Sequence, residues 1–217
     1  MNEPAIRVLV ADDHAVVREG IRTVLESGNF SVVAEARDGE EALELIAEHD
    51  PDVAILDITM PKLSGIDVLE RLRERPSRTN VLILSMHDHP EYVLGAVRAG
   101  ADGYLLKSAG PSEVREAVRS VAQGKEAFSA RVTQQLSSAL RDEAAREASR
   151  GRLEQLTPRE REVLVRVTAG RTSREIADEF GISHRTVETH RESIMRKLQI
   201  RTVAGLTRFA LEAGLTT

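Results

Sequence analysis

The sequence predicts an α/β domain, a flavodoxin-like five-stranded parallel sheet wound on both faces by helices, followed by a small all-helical domain. Strand-like and helix-like segments alternate through the first 123 residues, which is the pattern of βαβ units and a parallel sheet. Five such repeats make a doubly wound domain. No strand pattern follows Gly124, and the last third of the chain carries only capped helices separated by glycines.

Short apolar runs bounded by turn residues predict the strands, because strands buried on both faces contain few polar side chains. The predicted strands span 6–11, 31–36, 53–57, 81–85 and 103–106. Asp38 followed by Glu41 is typical of a helix start, and Pro90 and Pro111 suit a first helical turn. The predicted helices span 15–27, 39–49, 65–75, 90–99 and 111–123.

The C-terminal part of the sequence shows helix-start and helix-end signals but no strand pattern. Residues 130–150 are rich in Ala, Ser, Arg and Glu, and their weak apolar periodicity predicts a helical but loosely packed linker. Capping boxes begin at Thr157 and Thr172, and Ser183 caps a third helix that ends near 198. Gly181 lies in the short turn before that helix, which is typical of a helix-turn-helix. We therefore predict three parts: 1–123, a linker over 124–151, and 152–217.

Composition limits the class of protein. Hydrophobic residues make up 41% of the chain and cysteine is absent, which excludes a disulfide framework and a thiolate metal site. No apolar run approaches the roughly 18 residues that a membrane span needs, and the N-terminus lacks the features of a signal peptide. We expect a soluble cytoplasmic protein with no membrane partner.

Charge is distributed unevenly along the chain. Residues 1–149 carry 17 basic and 26 acidic side chains, whereas residues 150–217 carry 13 basic and 9 acidic ones. Such asymmetry indicates a polyanion as the partner of the C-terminal part. Ordinary surface variation explains the asymmetry equally well.

Polar residues follow four of the predicted strands. Asp12 and Asp13 follow the first, Asp57 and Ser85 end the third and fourth, and Lys107 follows the fifth. The carboxyl ends of parallel strands share one edge, where ligands of open α/β sheets bind. Helix capping is an equally good explanation for Asp13 alone, but it does not account for the whole set.

Clustered carboxylates call for a cation. Two unit charges about 4 Å apart repel by roughly 4 kcal/mol at an effective dielectric of 20. Oxygen donors indicate Mg²⁺, and a carboxylate beside Mg²⁺ can act as a nucleophile toward a phosphoryl group. Lys107 would neutralise phosphate charge, and Ser85 could donate a hydrogen bond to a phosphate oxygen.

Four motifs resemble the receiver domain of bacterial two-component response regulators over about 5–123. They are VLVADDH at 8–14, LDITMP at 56–61, LSM at 84–86 and GADGYLLK at 100–107. Many receivers place Pro after the lysine, often with a cis bond, whereas Ser108 follows Lys107 here.

The resemblance implies a role for each pocket residue. Asp57 accepts phosphate from a sensor histidine kinase. Asp13, Asp57 and the Thr59 carbonyl hold Mg²⁺, and Asp12 acts through water. Ser85 and Tyr104 form the switch pair that rearranges when Asp57 is phosphorylated.

Helix 183–198 has one apolar face and one polar face at 100° per residue. A helix in the major groove reads bases with its exposed face and contacts phosphate from its flanks. The alternative is a solvated amphipathic helix, but the capped helix and tight turn before it favour DNA. The predicted DNA contacts are Arg185, Glu188, Thr189, Glu192 and Arg196 on the exposed face, with His190, Ser193 and Lys197 on a flank.

Three segments resemble the LuxR-type helix-turn-helix over about 152–215. They are LTPREREVL at 156–164, REIA at 174–177, and TVETHR at 186–191 with the following Lys197-Leu198. A receiver joined to this module resembles the NarL/FixJ class. The class implies a homodimer on inverted-repeat DNA when phosphorylated, with the last helix at the dimer contact. The spacing of Val203, Leu206 and Ala210 by three and four makes them candidates for that contact face, although core packing is the better explanation for some of them.

The predicted function is phosphorylation-controlled, DNA-binding transcription regulation. The implied partners are a sensor histidine kinase, double-stranded DNA, a second copy of the chain and RNA polymerase. We expect no enzymatic activity beyond loss of phosphate from Asp57 itself. The alternative is a Mg²⁺-dependent aspartyl-phosphate phosphatase or phosphotransferase with a helical interaction module, and turnover of an external phosphate ester would favour it.

Overall fold

The structure is a computed structural model that describes residues 4–74 and 76–215. The chain divides into an N-terminal unit, Met1–Ala139, and a C-terminal unit, Leu140–Thr217. No helix within the described ranges is long and apolar enough to cross a membrane. The outer ends of the predicted first and last parts, residues 1–3 and 216–217, lie outside the described residues.

The N-terminal unit is built on a six-stranded parallel sheet in the order β2-β1-β3-β4-β5-β6. Its strands are β1 (Ile6–Ala11), β2 (Phe30–Ala36), β3 (Val53–Leu56), β4 (Asn80–Ser85), β5 (Gly103–Leu106) and β6 (Ala127–Phe128). Its first five helices are α1 (Ala15–Glu26), α2 (Gly39–His49), α3 (Gly65–Arg73), α4 (Pro90–Arg98) and α5 (Pro111–Ala122).

The sheet separates two apolar cores. Successive residues of β3 point to opposite faces, so Ala54 and Leu56 join one core while Val53 and Ile55 join the other. The first core is covered by α2, α3 and α4, and the second by α1 and α5. This double coverage explains why β3 contains no polar residue, and it confirms the predicted doubly wound architecture.

A sixth strand corrects the predicted count of five. β6 pairs in parallel with β5, and Tyr104 lies beside Phe128. A strand of two residues is too short to show any periodicity, which is why the sequence did not reveal it. The predicted helix 65–75 ends earlier, at Arg73, and its last predicted residue, Arg75, lies outside the described residues.

The segment predicted as a loose linker begins inside the first core. Helix α6 (Ala130–Glu154) follows β6 directly. Val132 in its first turn is fully buried, in the same core as Tyr104. The part of α6 beyond residue 139 belongs to the C-terminal unit, where most of its side chains are exposed.

The C-terminal unit adds four helices around a third apolar core. They are α7 (Pro158–Thr168), α8 (Ser173–Phe180), α9 (His184–Leu198) and α10 (Val203–Glu212). Both predicted capping boxes form, at Thr157 with Glu160 and at Thr172 with Glu175. Gly181 ends α8 with a φ of +65°, and Ser183 caps α9. A helix-turn-helix therefore lies where the sequence predicts it.

Gly65, the first residue of α3, packs against Asp57, the residue that follows β3. A Cβ at this position would lie 2.2 Å from the Asp57 carbonyl oxygen. We expect Gly65→Ala to lower the free energy of unfolding of the N-terminal unit by about 1–3 kcal/mol, because backbone must move. Urea denaturation measures the change.

Gly20 provides the matched control because a Cβ there meets nothing within 4 Å and the residue lies inside α1. Gly20→Ala should raise the same free energy by roughly 0.5–1 kcal/mol. Equal effects of the two substitutions would contradict the close approach of α3 to Asp57.

Candidate functional site

Three charged side chains meet at the carboxyl edge of the sheet. The Lys107 ammonium lies 2.6 Å from Asp12 Oδ2 and 2.8 Å from Asp57 Oδ2. Both carboxylates are almost completely buried. The backbone is fixed by hydrogen bonds that continue the sheet, because Asp57 N–H donates to the Ala11 carbonyl at 2.9 Å and Lys107 N–H to the Ser85 carbonyl at 2.8 Å.

Burial and the ammonium act on this cluster in opposite directions. Burial raises the pKa of Asp57 above its ordinary value, and the Lys107 ammonium opposes that rise. Burial alone would lower the pKa of Lys107, but its hydrogen bonds to Asp12 and Asp57 leave that pKa raised. The lysine is therefore a cation at neutral pH and offsets the repulsion between the two carboxylates.

Asp12 also belongs to a group with Asp13 and His14 whose ligand atoms could hold a metal ion. His14 Nδ1 lies 2.6 Å from Asp13 Oδ1 and 3.3 Å from Asp12 Oδ1. Ligand atoms of these three residues lie within 4.8 Å of one another, and Asp13 is one-third exposed. The carboxylate oxygens suit a hard cation such as Mg²⁺. His14 was not among the predicted site residues, although it follows both aspartates directly.

Thr59 follows Asp57 by two residues and is exposed. Its hydroxyl is 3.1 Å from His87 Nε2, and the His87 ring stacks on Tyr92 with 4.4 Å between the ring centroids. The sequence did not identify His87 or Tyr92, because their relation to Thr59 depends on how the loop after β4 folds back.

The predicted switch pair converges on one residue. The hydroxyl of Tyr104, a fully buried residue, donates to the His87 carbonyl at 2.6 Å. His87 N–H donates to the Ser85 hydroxyl at 3.1 Å. Burial raises the pKa of Tyr104 to about 12, so its hydroxyl keeps its proton and can donate. The Lys107–Ser108 peptide is trans, since the described residues contain no cis peptide bond.

Helix α9 displays a polar face to solvent. Val187, Ile194 and Leu198 are buried in the third core. The opposite face is exposed and contains Arg185, Thr189, Glu192 and Arg196. Glu188 and His190, also predicted as DNA contacts, are half-buried, and Glu188 lies 3.8 Å from His184.

Two protein families match separate parts of the chain. Residues 8–119 match the response regulator receiver domain, and residues 154–210 match the luxR family of bacterial regulatory proteins. The first match alone covers just over half of the chain. The chain belongs to the response regulators. It joins a receiver domain to a LuxR-type domain, as the predicted NarL/FixJ class does, and it is a DNA-binding transcriptional regulator.

Relatives align along the full length of this response regulator. The transcriptional regulatory protein MctR of Rhizobium johnstonii is 42% identical, over 98% of this chain and 96% of that protein. The nitrate/nitrite response regulator NarP of Escherichia coli is 38% identical, over 96% of each chain. Such transcriptional regulators are generally not enzymes, which weighs against the phosphatase alternative.

Solved structures resemble both the whole chain and its first unit. The response regulator ChrA of a heme-sensing two-component system matches with a TM-score of 0.57 at 33% identity, over 98% of this chain and 100% of that one. The receiver domain of NarL from Mycobacterium tuberculosis matches with a TM-score of 0.56 at 44% identity, over 57% of this chain and 100% of that one. Receiver domains generally bind Mg²⁺ at an acidic pocket.

The buried Glu160 of α7 binds two residues of α9 in this regulator. The Glu160 carboxylate accepts hydrogen bonds from the Ser193 hydroxyl and the Lys197 ammonium, each at 2.7 Å. The same carboxylate accepts the Thr157 N–H of the capping box at 2.8 Å. Ser193 and Lys197 were predicted to flank the DNA-reading face. That role stays a prediction, but each side chain already has a partner within the protein.

The three candidate dimer residues of α10 differ in exposure. Leu206 and Ala210 are buried within the chain, with exposed fractions of 1% and 0%, which fits the core-packing alternative for these two residues. Val203 is 42% exposed, and Leu211, eight residues further along, is 61% exposed; these two mark the outward face of α10.

Glu160 makes the stability of the C-terminal unit depend on pH. Burial alone would raise the pKa of Glu160. Hydrogen bonds from Lys197, Ser193 and Thr157 stabilise the carboxylate and lower this pKa to about 2. A depressed pKa in the folded state contributes stability above the unfolded value near 4.5, and this contribution is lost as pH falls towards 2. We expect Glu160→Gln to cost about 2 kcal/mol at pH 7.

The cost of Glu160→Gln should shrink as pH falls from 4.5 to 2, because the wild-type carboxylate then becomes neutral as well. Urea titrations of both proteins, followed through the NMR methyl signals of Ile194 in the third core, measure the difference. A cost that does not change with pH would mean that the substitution acts through packing rather than charge.

Proposed function

We propose that this transcriptional regulator is controlled by phosphorylation of Asp57 by a sensor histidine kinase. The observation that carries the proposal is the Lys107 ammonium, which contacts Asp57 and Asp12 together. It places a fixed cation beside a buried carboxylate, where the negative charge of a phosphoryl group would develop. The receiver in this proposal occupies 1–123 and the DNA-binding domain 152–217.

Asp57 has the properties of a phosphoryl acceptor. Its carboxylate would form the new O–P bond while the P–N bond to the donor histidine breaks and the nitrogen keeps the electron pair. Lys107 then pairs with a phosphoryl oxygen, and the Ser85 hydroxyl turns to donate to another. Burial of the pocket strengthens these charge interactions, because little water screens them.

Magnesium fits the oxygen donors of the pocket. Asp13, Asp57 and the Thr59 carbonyl would hold the ion, with Asp12 acting through a bound water. When bound, Mg²⁺ supplies charge that neutralises phosphoryl oxygens. Asp13 is exposed enough to exchange its contact with His14 for a metal bond.

The exposed face of α9 would read base edges in the major groove. Arg185 and Thr189 lie in the N-terminal half of the helix, the part that enters the groove first in helix-turn-helix proteins. Arg185 can bind guanine with two hydrogen bonds. The outward face of α10, with Val203 and Leu211, would pair with a second copy of the chain on inverted-repeat DNA. A contact with RNA polymerase stays a prediction.

Asp57→Asn should abolish phosphorylation. We expect the wild type to incorporate one phosphoryl group per chain with Mg²⁺ and a small phosphodonor, and to incorporate none once Mg²⁺ is chelated. Asp50→Asn is the matched control, because Asp50 ends α2 in a left-handed conformation that asparagine tolerates. Undiminished labelling of Asp57→Asn by intact-mass analysis would refute the assignment.

Arg185→Ala should weaken binding to a preferred DNA site by about 1–3 kcal/mol and relax the preference at one base pair. Arg141→Ala serves as the control, because Arg141 is exposed on α6, away from both α9 and the outward face of α10. Site selection from random DNA, followed by affinity measurements at fixed salt, separates the two variants. Equal losses on preferred and random DNA would mean that Arg185 contacts phosphate only.

A further inference from the structure

The first turn of α6 is attached to the switch residue Tyr104. Ser129 N–H, just before α6, donates to the Tyr104 carbonyl at 3.4 Å, and Val132 is buried in the core that contains the Tyr104 ring. Phe128 lies beside Tyr104 in the sheet. The start of α6 is therefore part of the receiver's packed structure rather than a loose tether.

The loop between β4 and α4, residues 86–89, is attached to the same switch residues. Both main-chain polar groups of His87 are taken, the N–H by Ser85 and the carbonyl by the Tyr104 hydroxyl. Its ring contacts Thr59 and Tyr92. A change in either switch side chain must therefore move residue 87 or leave one of its polar groups unpaired.

The next residue of this loop reaches α6. The Asp88 carboxylate forms an ion pair and a hydrogen bond with the Arg131 guanidinium. Asp88 is one-third exposed and Arg131 is two-thirds exposed. His87 thus binds the switch pair, while the next residue, Asp88, binds α6.

We propose that the Asp88–Arg131 ion pair is a latch that holds α6 on the 86–89 loop in the unphosphorylated receiver and opens on phosphorylation. The inference rests on the proposed phosphorylation of Asp57. When the Ser85 hydroxyl turns towards a phosphoryl group, the His87 N–H loses its acceptor. The loop then shifts, Asp88 moves away from Arg131, and the first turn of α6 is held by Ser129 and Val132 alone.

Thermodynamic linkage makes the latch measurable. If phosphorylation must open the pair, then removing the pair beforehand must favour the phosphorylated state by the same factor. An exposed ion pair of this kind changes an equilibrium by roughly 1.5- to 5-fold. We therefore expect Asp88→Asn and Arg131→Gln each to tighten the Mg²⁺-dependent binding of beryllofluoride, a phosphoryl mimic, by about 1.5- to fivefold in the full-length chain.

Three further variants separate the latch from a general effect on folding. The exchanged pair, Asp88→Arg with Arg131→Asp, should restore wild-type affinity, and Arg131→Lys should stay near it. Arg141→Gln removes an exposed arginine further along α6 and should change nothing. A loss of stability that is common to both states would leave the affinity for beryllofluoride unchanged.

The beryllofluoride affinities of the wild type and the variants either support the latch or overturn it. Tighter binding by both single variants with rescue by the exchanged pair supports the latch. Unchanged or weaker binding in variants of a wild type that binds beryllofluoride overturns the latch and leaves the phosphorylation site intact. A wild type that does not bind beryllofluoride in Mg²⁺ refutes the proposed phosphorylation at Asp57, and the latch with it.

Discussion

The placement of Lys107 between Asp12 and Asp57 is the interaction on which the receiver depends. Two buried carboxylates at neighbouring strand ends repel each other in a medium of low dielectric, and an ammonium 2.6–2.8 Å from both offsets that repulsion. The arrangement requires β1, β3 and β5 to end at one edge, which a parallel sheet provides. It also requires close packing beneath Asp57, where only glycine fits at position 65.

The charged pocket and the apolar core meet at Tyr104. Its ring is buried in the first core while its hydroxyl reaches the loop beyond Ser85. A buried phenol without a partner would be costly, so the hydroxyl ties the loop to the core for as long as the His87 carbonyl is within reach. A rearrangement in the pocket is thus passed to the loop through hydrogen bonds that cannot simply be left unmade.

Sequence patterns predicted most of the fold because strands, helix caps and turns are determined by residues that are close together in the sequence. Strand ends, capping boxes and the Gly181 turn each depend on residues a few positions apart. The strand β6 was missed because a strand of two residues is too short to show an alternation of apolar and polar side chains. The partner of Glu160 was missed because Lys197 is 37 residues away, and a capping box already explained that glutamate. On α10, spacing identified an apolar stripe but could not say which of its residues face the core, so core packing and a dimer contact both stayed open for Leu206 and Ala210.

The contacts that fix α9 are concentrated in its C-terminal half. Ser193 and Lys197 bind the buried Glu160, and the Arg152 guanidinium donates to the carbonyl of Leu198, the last residue of the helix. A cation at a helix C-terminus also interacts favourably with the helix dipole. Arg152 is itself held over the Phe209 ring at 5.1 Å. Nearer the N-terminus, Val187 packs in the core and the Arg191 guanidinium donates to the Ser173 hydroxyl at 3.1 Å, while Arg185 and Thr189 face solvent. The proposed reading of bases by Arg185 and Thr189 therefore places no demand on Ser193 and Lys197, because the bonds of these two residues to Glu160 can persist while the first two turns enter a groove.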